Sequence, residues 1–338
     1  GEDFSGFSEE PLMSPEISEG ISKNILMSPF NPSNPFVFDW RDRHGQNWTT
    51  PVKNQLSCNS CVVFGIVGAL ESIINLYYNQ HLNVNLSEQD IISCDPFGDC
   101  QTGSAPDIVS DYLRDTGVVD EACFPYSGID ENGCKSTDCG YTPVTCSNKC
   151  ANWNQRTWKT SSYSIIPINQ YQVKKAIIQK GPVSFSIQGW AHHPAIVGFG
   201  EITPGIYYDE QEIHTFVEIL PNNPLVGKNY WIVKNSWGES WGEGGYGYFI
   251  IPLDKFSFSF SQETPIISPS QIPIPSILCV DNDNDGFCWW GISSNKPATC
   301  PASCSGNNYP DCEDSNASLG ACPQNYECGS YDLVKSGD

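Results

Sequence analysis

Two cysteines three residues apart, Cys58 and Cys61, open the most apolar stretch of the chain, residues 55–78. From Cys61 onward Val62, Phe64, Ile66, Val67, Leu70, Ile73, Ile74 and Tyr77 recur at helical spacing, which predicts a long, mostly buried helix with Cys61 in its first turn. A helix start offers free N–H groups and the positive end of the dipole, so a thiol there should lose its proton more easily than a free one. Such a thiolate is a candidate nucleophile. Other readings stay open at this point. Half of a zinc site needs a second Cys/His pair at suitable spacing, and none stands near. A redox pair belongs to a reducing compartment, against which 16 cysteines argue. Both residues are also candidate disulfide partners.

The second half of the chain supplies matching chemistry. His214 begins an alternating run, Glu212 to Leu220, and Tyr230 to Gly238 is followed by the glycine-rich Trp241 to Gly247. Together with Asp39-Trp40-Arg41, Pro51-Val52-Lys53-Asn54-Gln55, Ser57-Cys58-Asn59-Ser60-Cys61, Leu86-Ser87-Glu88-Gln89 and Asn235-Ser236-Trp237-Gly238, these segments resemble the papain-like cysteine peptidases in type and order, over about residues 36 to 255. The resemblance implies Cys61 as nucleophile, His214 as its imidazole partner and Asn235 as the residue that orients that imidazole. It implies Trp237 as a shield over their hydrogen bond and Gln55, with the Cys61 N–H, as the oxyanion hole. Each role has a physical reason: a nucleophile needs a base in reach, a base needs an orienter, and a developing oxyanion needs fixed donors.

The chain departs from the family pattern where Val62 follows the nucleophile, where Leu56 and Asn59 replace glycines, and where Thr102-Gly103 stands for a Gly-Gly pair. These departures motivate an alternative, a weak or inactive papain-like binding or adhesion protein. Subsite residues implied by position are Gly103, Ser104, Ala105, Ser186, Ile213, Thr215 and Trp237. The adjacent His192-His193 reads as a solvated loop, and His44 and His81 as surface residues.

The formal net charge of -22, with 17 basic residues among 338, excludes nucleic acid and anionic membranes as natural partners. No apolar run is expected to reach the length of a membrane span. The cysteine count places the protein in an oxidising compartment, secreted or at the cell surface, and protein or peptide substrates follow from the resemblance.

The expected fold is α+β: a papain-like two-domain fold with a helical half and a β-barrel-like half around a cleft, plus a small disulfide-rich metal-binding module. Residues 1–35, acidic and proline-punctuated, read as a propeptide-like segment of a zymogen. The peptidase domain spans 36–260, divided at 150/151 into helical and β halves. Strands are expected at Val183–Gln188, His214–Leu220, Tyr230–Lys234 and Tyr246–Ile251. Within the family the cysteines look like those of cathepsin B, which implies Cys58–Cys100, Cys94–Cys146, Cys123–Cys150 and Cys134–Cys139. Only four residues separate the last two, too few for an occluding loop, so an endopeptidase is expected.

Residues 261–278, with Pro265, Pro269, Pro273 and Pro275, read as a stiff linker. Residues 279–338 hold seven cysteines, nine acids and two lysines. Asp281, Asp283 and Asp285 alternate before Gly286, with Phe287 offering its carbonyl, and Asp311 and Asp314 lie in a second acidic cluster. Hard oxygen ligands at that spacing suit calcium, although Ile292 stands where an EF-hand requires glutamate. The pattern resembles thrombospondin type 3-like aspartate-rich repeats. Calcium is therefore expected as a structural ion in the tail, with no cofactor for catalysis and with a surface or matrix partner for the module. Asn47, Asn85 and Asn316 match the glycosylation acceptor pattern.

Overall fold

The computed structural model describes residues 37–129, 144–187, 191–205, 207–209, 216–250, 256–267, 274–293, 295–304 and 309–321. The expected propeptide-like segment 1–35, Cys134, Cys139, Ile213, His214 and Thr215 lie outside the described residues.

Helix α1 (Cys61–Tyr78) is the spine, buried without interruption from Val63 to Leu76. A helix that is apolar all round must be covered on every side. Ile66, Val67, Leu70 and Ile74 share a core with Ile91 of α2 (Glu88–Cys94) and with Val109 and Leu113 of α3 (Pro106–Asp115). Leu76 joins the core beneath the sheet. By length and composition α1 is long and apolar enough to cross a membrane, contrary to the expectation from sequence; 83% of it is instead buried within the fold. Ser87 caps α2 by accepting the Asp90 N–H at 3.0 Å. Disulfides Cys58–Cys100, Cys94–Cys146 and Cys123–Cys150 staple the loops of this half.

The other half is an antiparallel sheet of eight strands. In chain order they are β1 (Val37–Asp39), β2 (Val118–Val119), β3 (Thr157–Ile165), β4 (Val183–Ile187), β5 (Ala195–Glu201), β8 (Asn229–Lys234), β9 (Tyr246–Phe249) and β10 (Phe256–Ile267). The spatial order is β2-β3-β10-β4-β5-β8-β9, with β1 also pairing β5. Helix α4 (Gln170–Lys180) contributes Val173, Ala176 and Ile177 to the core. Strands β6 (Tyr207–Asp209) and β7 (Phe216–Glu218) form a separate hairpin.

Three expectations are corrected here. Strand β5, which the sequence reading missed, lies beside β8, while the expected strand 214–220 is represented by β7, which among the described residues pairs with β6. Strand β5 fits because Gly198 and Gly200 carry no Cβ: one would overlap the Phe38 carbonyl at 198 and the Tyr230 ring at 200. The proline-rich segment is not a linker throughout, since β10 pairs with β4 as far as Phe260 and with β3 as far as Ile267. Pro265 is tolerated because it lies past the last β4 pair, Phe260 with Ser184, where β10 has a single paired neighbour.

The tail is also no separate body. It carries Cys279–Cys300 and Cys288–Cys304 and is fastened to the C-terminal end of α1. The Leu278 N–H donates to the Tyr78 carbonyl at 3.0 Å and the Ile292 N–H to the Leu76 carbonyl at 3.1 Å. Asn79 Nδ2 donates to the carbonyls of Leu278 (3.2 Å) and Trp289 (3.1 Å). Gly291, at φ 77°, sits where any Cβ would overlap the Leu76 carbonyl. Trp289 is part of the sheet-side core.

A buried charge network joins the two halves. Glu71 of α1 accepts from Lys53 Nζ (2.8 Å), Thr50 Oγ1 (2.6 Å) and the Leu86 N–H (2.7 Å). Lys53 also donates to Glu88 (2.9 Å), and Lys234 of β8 donates to Thr50 (2.8 Å). The Lys53 and Lys234 charges hold the Glu71 carboxyl low against the effect of burial. Glu88 goes the other way: burial, opposed by Lys53 and reinforced by the Glu71 charge, pushes it up to about 7. A carboxyl whose folded pKa is raised contributes stability below its unfolded pKa and loses it as pH climbs through the folded one. Glu88→Gln should therefore gain on the wild type in urea midpoint between the ordinary glutamate range and pH about 7. A difference that stays flat over that window would show Glu88 ionised throughout.

Candidate active site

Cys61 begins α1 and is the single free cysteine among the described residues. The backbone N–H groups of His193, Val62 and Cys61 itself lie near enough to its sulfur to favour the thiolate. Burial pushes the thiol up to about 11, and the three N–H groups oppose that shift. The N–H groups at the helix start act in the expected direction, and burial acts against them.

His192 and His193 are the largest departure from the sequence reading. They are not a solvated loop: their exposures are 3% and 1%. They lead into β5, whose Ala195 pairs with Lys234 of β8, and this register brings His192 beside Asn235. His192 Nε2 lies 2.7 Å from Asn235 Oδ1, and the imidazole stacks on Trp237 at 4.6 Å. Asn235 Oδ1 also accepts the Ser236 N–H at 2.8 Å, which fixes the amide oxygen toward the ring. His192 Nε2 is then the donor and Nδ1 the basic nitrogen. Burial lowers the His192 pKa to about 4, partly offset by Asn235. Asn235 and Trp237, expected to serve His214, are thus engaged with His192. The signal available in the sequence was the run Ala195 to Glu201, a strand pattern directly after the histidine pair.

Close approach of the two walls depends on Gly65. A Cβ there would overlap the His193 carbonyl. His193 Nδ1 pairs with Ser186 Oγ at 2.7 Å, and burial lowers its pKa to about 3, helped by the neighbouring His192.

Gln55 is buried and doubly held. Its Nε2 donates to the Cys58 carbonyl (3.0 Å) and its Oε1 accepts from Ser236 Oγ (2.6 Å). The Gln55 N–H donates to the Ser236 carbonyl (2.8 Å), and the Tyr126 hydroxyl donates to the Gln55 carbonyl (2.7 Å). The second Nε2 hydrogen remains to serve an oxyanion. Of the expected subsite residues, Gly103 is at φ 80° against the Asn59 carbonyl, Ser104 follows it, and Ala105 caps α3.

In the tail, carboxylate oxygens of Asp281, Asp283 and Asp285 lie within 4.8 Å of one another, as do those of Asp283, Asp311 and Asp314. Asp311 and Asp314 are fully buried. Burial and the neighbouring aspartates push both carboxyls up to about 7, against the N–H groups they accept from. Phe287 donates its N–H to Asp285 (2.8 Å), and its side chain meets Gly320.

The chain belongs to the papain family of cysteine proteases, whose family model matches residues 34–256. It is similar to the probable cysteine protease RD19B of Arabidopsis thaliana, 31% identical over 245 residues, covering 67% of this chain and 61% of that relative. Two solved structures share the fold at 23% identity and a TM-score of 0.50. One explains the limited antibody cross reactivity between the mite allergens Blo t 1 and Der p 1, covering 73% of this chain and 76% of that one. The other is the Amb a 11 cysteine protease of ragweed pollen in its proform, covering 70% and 68%.

Gly65→Ala should displace the His193 backbone and draw His192 away from Cys61. A shift near 1 Å costs about a hundredfold in rate, so kcat on a fluorogenic peptide should fall by about that factor while circular dichroism stays native. An Ala variant that is more stable by about 1 kcal/mol, as helix propensity alone gives, with kcat unchanged, would contradict the close approach.

Proposed function

We propose that this chain is a secreted cysteine endopeptidase whose catalytic set is Cys61, His192, Asn235 and Gln55. The observation that carries this reading is the pairing of His192 Nε2 with Asn235 under Trp237, on the strand entry whose next residue, His193, packs against Gly65 of the helix that begins at Cys61. The Cys61 proton passes to His192 Nδ1 as the sulfur attacks the peptide carbonyl carbon. Burial disfavours either charge alone, so thiolate and imidazolium form together, each stabilising the other. The Gln55 side-chain amide and the Cys61 N–H receive the oxyanion. The C–N bond then breaks, and the leaving amine takes the proton from His192. Water, deprotonated by the same imidazole, attacks the thioester, releases the carboxylic acid and restores the thiol. Described disulfides in both the peptidase and the tail support an oxidising compartment. The four-residue span between Cys134 and Cys139 supports internal rather than terminal cleavage.

The tail is read as calcium-binding. Its support is chemical: the grouped donors are carboxylates, and Asp311 Oδ2, on a fully buried side chain, has no hydrogen-bond partner. Asp281 Oδ1 and Asp283 Oδ2 are likewise buried without partners. The nearby Cys279, Cys288 and Cys304 are all in disulfides, which removes them as zinc thiolates.

Paired variants test the assignment of the imidazole. His192→Ala should abolish peptide hydrolysis and rapid alkylation of Cys61 below neutral pH, while His214→Ala should keep both within a few-fold of wild type. The opposite pattern would return the role to His214. A wild-type chain that neither alkylates rapidly nor cleaves a peptide library would favour the binding-protein alternative.

A further inference from the structure

We infer that calcium in the tail acts as a clasp on the peptidase body, stabilising helix α1 and the loop of residues 39–48 from outside the cleft. The inference rests on the calcium reading above.

The segment that supplies the two fully buried carboxylates also grips the peptidase. Arg43, itself buried, donates from Nη2 to the Cys312 carbonyl (2.6 Å) and pairs through Nη1 with Glu313 (2.6 Å). The Asp314 N–H donates to His44 Nδ1 (3.0 Å), and the His44 ring stacks on Trp289 at 3.8 Å. His44, expected at the surface, is 4% exposed because the tail covers it.

The alternating aspartates sit in the other arm of the same device. The loop carrying Asp281, Asp283 and Asp285 is closed by the Val280–Trp289 bridge, and Trp289 is embedded in the peptidase core. The two arms meet where the Asp311 N–H donates to the Cys288 carbonyl (2.9 Å) and the Asp314 side chain receives the Asn282 N–H (2.7 Å). Residues 311–314 therefore have one side on the peptidase loop and the other on the aspartate loop.

Five aspartates at this density repel one another when ionised, and the repulsion acts to part the arms. A divalent cation between them reverses the sign of that interaction. Parting the arms releases Arg43 and His44 on one side and loosens Trp289 and the α1 C-terminus on the other. The ion thus stabilises the closed arrangement by mass action, in proportion to its preference for that state.

Hydrogen exchange of the full chain, in calcium chloride and in chelator, tests the clasp, with isothermal calorimetry run alongside and magnesium as control ion. At free calcium a hundredfold above the dissociation constant, amides that exchange through clasp opening should slow by about a hundredfold. The slowing should reach residues 43–48 and 76–80 as well as 281–289 and 311–316. Because coupling is reciprocal, Arg43→Gln should weaken calcium binding by about fivefold or more. Asp311→Asn should lose both the binding heat and the slowing. Calcium that binds but slows only the tail, or binds Arg43→Gln as tightly as wild type, overturns the clasp and leaves the calcium reading standing. No binding heat from the wild type overturns the calcium reading itself.

Discussion

The constraint on which the site depends is the contact between the backbone of His193 and the bare Cα of Gly65 on helix α1. It is a contact between the two halves of the molecule, made one helical turn after Cys61. Because no side chain intervenes, the strand entry carrying His192 and His193 lies against the helix start carrying the thiol. This approach also brings the His193 N–H near enough to the sulfur to favour its thiolate. Strand β5 then carries the chain to β8 in the register that places Asn235 and Trp237 around the His192 imidazole.

Such close packing buries ionisable groups, and the protein handles them in two ways. At the join between the halves, Glu71, Lys53, Glu88 and Lys234 are desolvated but mutually compensated, a network in which removing one partner leaves the others uncompensated. In the site, Cys61 and His192 are also desolvated, and burial disfavours either charge on its own. That burial makes proton transfer between them the natural route to charge, since the two charges appear together. Lys234 and Asn235 are sequence neighbours, so the structural network and the site share one strand end.

The tail extends the same core. Trp289 belongs to the cluster that includes Trp40, Phe185 and Trp231, and Asn79, in the left-handed conformation that ends α1, ties that end to the tail backbone. A helix whose first residue is the proposed nucleophile is thus held at its other end by a disulfide-stapled, acidic appendage. The segment that carries Asp311 and Asp314 meets the peptidase at Arg43 and His44.

The sequence by itself determined the four α-helices and three of the eight sheet strands, β4, β8 and β9. Apolar spacing marked α1 from Cys61 to Tyr78, Ser87 and Pro106 marked the starts of α2 and α3, and Gly181 marked the end of α4, because caps and periodicity act over a few residues. The local motifs likewise singled out Cys61, Asn235 and Gln55 as candidate groups. Which histidine meets Asn235 was not local information. His192 and His214 both precede apolar runs, and the choice between those runs is made by strand pairing across the sheet, where Gly198 and Gly200 let β5 pack between β1 and β8. Proline content suggested a linker where β10 forms, because a proline's tolerance in a strand depends on which edge is unpaired, a property of the partner strand. The burial of His44 and the docking of Trp289 were hidden for the same reason: both depend on segments more than two hundred residues apart meeting face to face. Periodicity is written residue by residue, but the pairing of distant surfaces exists only once the chain has folded.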